Sequence, residues 1–153
     1  MNIAGNILIL ILICLPCFGL AGAGYTDTGK GVIIEIPEGK LCLTPMSGNT
    51  VRVRLTQTNT HTIEELIYLD NIPVPEYTVS ETATEIVLNQ ESLSVIFDKE
   101  DGSLVYKDGS GSIILREKAR GRQMQASYVQ GEPTYIVEQS FVSDKDEYQY
   151  GTG

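Results

Sequence analysis

The sequence has 153 residues, 42% of them hydrophobic and 20% charged, with a formal net charge of -9. That length fits one domain with a two-layer core. The acidity argues against nucleic acid or an anionic membrane as a partner, because both recruit basic surface.

Residues 1–26 carry no charged side chain. Ile7 to Ile13 is an unbroken run of Ile and Leu, extended by Cys14 and Leu15 and broken by Pro16. Ala21-Gly22-Ala23 then sets small residues at the two positions a signal peptidase reads. This layout predicts a secretory signal peptide over 1–23, cleaved after Ala23, and hence a secreted or periplasmic protein. The n-region has no Lys or Arg, so the terminal amine alone supplies positive charge. The apolar run is too short for a stable membrane span. Cys17 leaves a lipoprotein alternative open, although Pro16 is a poor residue before a lipidated cysteine. The mature chain, 24–153, keeps only Cys42. One cysteine forms no internal disulfide, and this one reads as a buried apolar strand residue.

Strand signals then follow in order. Val32, Ile34 and Ile36 alternate with Ile33 and Glu35, and Pro37-Glu38-Gly39-Lys40 predicts a turn. Leu41 and Leu43 continue the pattern, with Cys42 and Thr44 on the other face, up to a second turn at Ser47-Gly48-Asn49. Val51, Val53 and Leu55 alternate with Arg52, Arg54 and Thr56, the clearest period-two run of the chain. Thr58 to Pro75 reads as a connection with one helical turn, because Thr62 and Glu65 have capping-box spacing and Asp70-Asn71-Ile72-Pro73 stops a helix. Strands resume at Tyr77–Ser80 and Glu85–Leu88, and Asn89-Gln90-Glu91 makes a corner. Leu93, Val95 and Phe97 lead to an acidic turn at 98–103, Leu104-Val105-Tyr106 returns, and Asp108-Gly109-Ser110-Gly111 turns again before Ser112–Leu115. Asp-Gly turns between alternating runs are hairpin signals. Tyr135–Val142 is the last predicted strand. Short strands at regular spacing with Gly-rich turns predict an all-β, antiparallel β-sandwich.

Chemistry-bearing residues are sparse. His61 is the single histidine and reads as an exposed loop side chain. It rules out a multi-histidine metal site and weakens an aldose-epimerase (mutarotase-like) reading, in which paired His and Glu move protons. Arg116, Lys118, Arg120 and Arg122 read as a solvated loop or as ion pairs with acidic neighbours, since no aromatics interleave them. Asp98, Glu100, Asp101, Asp144, Asp146 and Glu147 sit in turn-like segments, and no two stand out as a glycosidase pair. No catalytic residue, metal site or cofactor site is assigned. Tryptophan is absent, so Tyr68, Tyr77, Tyr128, Tyr135, Tyr148 and Tyr150 are the aromatics available for stacking on a sugar.

The run Leu93-Ser94-Val95-Ile96-Phe97-Asp98-Lys99-Glu100-Asp101-Gly102-Ser103-Leu104-Val105-Tyr106-Lys107-Asp108, continuing to Ile113-Ile114-Leu115-Arg116-Glu117, resembles the hairpin pair in the N-terminal domain of glycoside hydrolase family 31. Val51-Arg52-Val53-Arg54-Leu55 resembles an earlier strand of that domain. Phe141 through Glu147 and Tyr148-Gln149-Tyr150-Gly151-Thr152-Gly153 resembles the segment that leaves it, with Thr152 where Leu is commoner. The resemblance covers Gly31 to Gly153. It implies a sandwich of the galactose-mutarotase-like type that packs on the catalytic (β/α)8 barrel of the same parent chain. Family members are retaining α-glycosidases, including α-glucosidases and α-xylosidases. Their catalytic aspartates lie on the barrel, and no position here corresponds to them. The expectation is a domain inactive alone, whose parent takes α-linked oligosaccharides. Tyr150, Gly151, Thr152 and Gly153 are expected at the domain junction or substrate entrance, as an exit strand and first loop cut before its partner. A free-standing carbohydrate-binding sandwich is the alternative.

Overall fold

The computed structural model describes residues 24–57, 73–143 and 146. The expected signal peptide over 1–23 lies outside the described residues. So do 58–72, with His61, Tyr68 and nearly all of the connection expected at Thr58–Pro75.

Ten strands form two antiparallel sheets. The smaller sheet contains β1 (Tyr25–Asp27), β2 (Val32–Ile36), β3 (Gly39–Ser47) and β4 (Thr50–Thr56), in the order β1-β2-β3-β4. The larger contains β5 (Thr78–Glu81), β6 (Glu85–Asn89), β7 (Leu93–Asp98), β8 (Leu104–Asp108), β9 (Ile113–Val129) and β10 (Glu132–Phe141), in the order β10-β9-β8-β7-β6-β5. Each sheet is a meander in which sequence neighbours pair. Among the described residues no helix is long and apolar enough to cross a membrane.

The alternation read in the sequence selects the buried face. Val32, Ile34, Leu41 and Leu43 from the smaller sheet meet Ile86, Leu88, Leu93, Val95, Phe97, Leu104 and Tyr106 from the larger in one apolar cluster. Removing this surface from water is the main stabilising term of the domain. Register fixes the inward set, since a one-residue slip would turn every core side chain outward. Val51, Val53 and Leu55 are only half-buried despite their clean pattern, because β4 is an edge strand. Cys42 lies on β3, but it is half-buried rather than buried, on the face away from the core.

Polar contacts clasp the sheets at the end opposite the Asp98–Ser103 turn. The Gln90 amide donates to the carbonyls of Ser47 and Thr50, the latter at 3.0 Å, and the Ser92 amide donates to Gly48 at 2.8 Å. Tyr77, just before β5, donates its hydroxyl to Asp27 Oδ1 at 2.6 Å and accepts from the Gly31 amide at 3.1 Å. The Tyr77 hydroxyl, followed by the Gly29 amide, holds the Asp27 carboxyl below its ordinary pKa. Both acidic turns form as read. Asp98 Oδ1 accepts from the amides of Glu100 and Asp101, and Asp108 Oδ1 accepts from Ser110 and Ser112.

The larger sheet is wider than the smaller one that covers it. Core residues come from β6, β7 and β8, while in β9 and β10 Glu117 alone is buried. Ile113, Ile114, Leu115, Ile136, Val137 and Phe141 remain exposed there. Beyond Arg122, β9 and β10 continue as a two-stranded arm to a tip at Gln130-Gly131. Both tip residues have positive φ, 52° and 89°, as a twist-matched two-residue hairpin turn requires. The sequence reading ended its strand at Leu115 and resumed at Tyr135, so it missed the arm's outgoing strand.

Two outcomes test this arrangement. Phe97→Ala removes the largest fully buried side chain and is expected to cost about 3–5 kcal/mol in urea denaturation. Tyr77→Phe removes the first donor to Asp27. The depressed Asp27 pKa contributes stability above the ordinary aspartate value and loses it as pH falls through the lowered one. NMR titration of Tyr77→Phe is expected to show the Asp27 pKa rising toward its ordinary value, with a smaller loss of stability in acid.

Candidate functional site at the base of the arm

The densest polar chemistry among the described residues lies where β9 leaves the sandwich. Glu117 is buried, with its side chain 1% exposed. A carboxylate so placed requires several donors. Glu117 Oε2 accepts from the Leu104 amide at 3.0 Å and from the Arg122 guanidinium, and Oε1 accepts from Gln139 Nε2 at 2.5 Å. Arg122 is itself 9% exposed and donates Nη1 to the Gly102 carbonyl at 3.4 Å. Its buried Nε has no acceptor among the described residues. Nearby, burial and then the Glu117 charge push the Tyr106 hydroxyl well above its ordinary pKa.

Residues five apart on a regular strand face opposite sides. Glu117 and Arg122 meet because the ladder is interrupted: β9 advances from 117 to 122 while β10 steps only from Phe141 to Gln139. The extra residues form a bulge that re-aims Arg122. Arg120 takes a left-handed φ of 53°, and its amide donates to the Asp101 carbonyl at 3.2 Å. Gly121 is required on steric grounds, since a Cβ there would stand 2.8 Å from the Lys118 carbonyl oxygen and 2.9 Å from that of Ser140.

A cleft of about 530 Å³ opens beside this bulge. Ile36 at the end of β2, with Pro37 and Glu38 of the following turn, forms one wall, and Glu100, Asp101 and Gly102 form another. Arg120 to Gln123, with Glu117, close it.

The basic cluster divides between the two readings given for it. Arg116, Lys118 and Arg120 are exposed, whereas Arg122 makes a buried ion pair with Glu117. The segment is strand and bulge, not loop, which corrects that half of the expectation. The odd Glu117–Arg122 separation hid the pair, and only the Gly121 position hinted at a bulge. Asp98 and Asp101 cap their own turn amides, with Asp101 Oδ1 accepting from Ser103 at 2.8 Å. No group of three or more His, Cys, Asp or Glu among the described residues could hold a metal. Tyr128 and Tyr135 share one face of the arm, 73% and 42% exposed, by the pairings Tyr128↔Pro133 and Ala126↔Tyr135. Tyr148, Tyr150, Gly151, Thr152 and Gly153 lie outside the described residues, as do Asp144 and Glu147.

The fold thus defines an antiparallel β-sandwich with a projecting hairpin arm and a polar cleft at its root. Part of the crystal structure of a GH31 alpha-xylosidase from Xanthomonas citri is similar to this chain in fold, at a TM-score of 0.68 and 20% sequence identity. The likeness covers 78% of this chain and 14% of that one. No protein-family model and no curated protein matches the sequence.

The Glu117 arrangement makes a quantitative test. Glu117→Ala leaves the Arg122 charge buried without its partner and is expected to lower stability by about 3–5 kcal/mol in chemical denaturation.

Proposed function

We propose that residues 24–153 form the non-catalytic N-terminal β-sandwich of a secreted family 31 α-glycosidase, of α-xylosidase or α-glucosidase type. The observation that carries this reading is the match to the Xanthomonas xylosidase, which takes in most of this chain and a small part of that one. A fold that recurs as a minor portion of a glycosidase suits a supporting role. The order of hairpin motifs from Leu93 to Glu117 supports the same family.

In this reading the sandwich packs on a catalytic barrel of the same parent chain and shapes its substrate entrance. The exposed apolar side chains of β9 and β10 support such packing. Ile114, Ile136 and Val137 lie outside the cover of the smaller sheet, and exposed apolar side chains on such a flank suit burial against a partner. Tyr150, Gly151, Thr152 and Gly153 belong at the junction. The barrel supplies the catalytic carboxylates and takes α-linked oligosaccharides, and the sandwich needs no cofactor. The apolar leader over 1–23 directs export.

The coding sequence beyond the Gly153 codon decides this. Several hundred further residues with alternating strand and helix patterns are the expected result, and a stop codon there overturns the proposal. The purified 153-residue chain is expected to hydrolyse no aryl α-glycoside, and turnover that survives rigorous purification would contradict a supporting role.

A further inference from the structure

The outer edge of β10 is open. β10 ends the strand order of the larger sheet, and among the described residues no strand pairs with its far side. The two-residue tip determines which backbone groups lie there. In such a hairpin the residues flanking the turn, Val129 and Glu132, exchange hydrogen bonds, and hydrogen-bonded pairs then alternate along the ribbon. Glu132, Thr134, Ile136 and Glu138 therefore commit their N–H and C=O groups to β9. Tyr135, Val137 and Gln139 aim theirs outward. Pro133, which has no N–H to offer, falls in the outward set, as an edge position allows.

An open edge recruits another strand unless it is guarded by a lysine, a proline, a bulge or its own shortness. From Thr134 to Gln139 β10 has none of these guards. Its register with β9 is unbroken there, and Thr134-Tyr135-Ile136-Val137 is a run of strong strand formers. Guards stand only at the ends, as Pro133 beside the tip and the bulge after Gln139.

The carboxylates then select what the edge accepts. In a two-fold pairing with a second copy, outward groups must meet outward groups, so odd positions face odd positions. An axis through Tyr135 sets Glu138 directly opposite the other copy's Glu132, which is repulsive, and an axis through Val137 sets Glu138 against Ile136. Axes nearer either end shorten the ladder. An axis through Ile136 avoids all of this. Glu138 then faces Thr134, Ile136 faces itself, and Tyr135 faces Val137 as an aromatic–β-branched pair. Glu132 of one tip falls opposite Ser140 at the other copy's root. Ser140 and Lys118 both border Gly121 there, and Lys118 is exposed. The register that satisfies the backbone thus also brings opposite charges together.

We propose that the protein pairs with a second copy of itself along the β10 edge, joining the two larger sheets into one across an axis at Ile136. Edge pairing uses backbone groups and leaves the faces of the arm for the packing described above. The proposal stands on the open edge and not on the family reading.

Sedimentation of the purified protein, with amide exchange followed by NMR, tests it. The expected result is a monomer–dimer equilibrium with a Kd of about 1–100 μM. On dilution below that Kd, exchange at Tyr135, Val137 and Gln139 is expected to speed about tenfold or more, while Thr134, Ile136 and Glu138, bonded to β9 in both states, change little. Val137→Pro removes an outward N–H and no bond to β9, and is expected to weaken association about tenfold or more. Ile136→Cys sets two sulfurs across the axis at a close, non-hydrogen-bonded pair, and peptide mapping after oxidation is expected to find residue 136 joined between copies. Gln125→Cys, one strand further in, is expected to give no such link. If Val137→Pro fails to fold, the two cysteine variants decide. A monomer at about 1 mM protein overturns the proposal. So does a dimer that Val137→Pro leaves intact, an equal yield of linked dimer from Gln125→Cys, or slow exchange of the outward amides in the monomer, which would put another segment of the chain on this edge.

Discussion

One buried carboxylate organises the part of this molecule that departs from a simple sandwich. Glu117 stands out of water only because three donors converge on it, from β8, from β9 beyond the bulge, and from β10. Its ion pair with Arg122 spans an odd separation, so the strand has to gain residues between them. That gain forces Arg120 into a left-handed conformation and demands a residue without a side chain at 121. The bulge in turn bends the ribbon, sends the arm outward and leaves the cleft beside it. A regular strand through 117–122 would strand both charges on opposite faces, and the arm's root would have neither anchor nor hollow.

The sequence displayed its core better than its polar chemistry. Strands β2, β3, β4 and β6 to β8 follow from period-two alternation closed by Gly and Asp turns, because a sheet with one dry face imposes that period. The arm escaped notice for a physical reason. Neither face of Lys118 to Val129 packs against the core, so nothing there enforces alternation, and mixed polar residues read as loop. What signals β9 is its partner: a two-residue Gln130-Gly131 tip holds the strands together where burial does not. β1 is hidden by its three-residue length. The Glu117–Arg122 pair was invisible because a regular strand forbids it.

The unequal widths of the sheets bear on function more directly than any single residue. Four strands cover the middle of six, and the apolar side chains of the uncovered strands face water. Sandwiches that work alone generally close such a flank with charge or a covering element. This one carries Tyr128, Tyr135 and Val137 on the same side of the arm, continuous through Gln139 with the Glu117 contacts. Proposing a larger glycosidase gives that flank a partner, and the polar cleft at its base stays a separate feature with its own chemistry.

The meander topology has a consequence for how the chain is wired. Every ladder runs between strands adjacent in sequence, and among the described residues no ladder joins the two sheets. The smaller sheet ends by Gln57, and the larger begins only after Pro73. Recognition between the halves rests on the apolar cluster and on a few polar contacts made by Tyr77, Gln90 and Ser92. Separated as 24–57 and 73–143, the two pieces would retain all of these contacts, as complementing fragments of one sandwich.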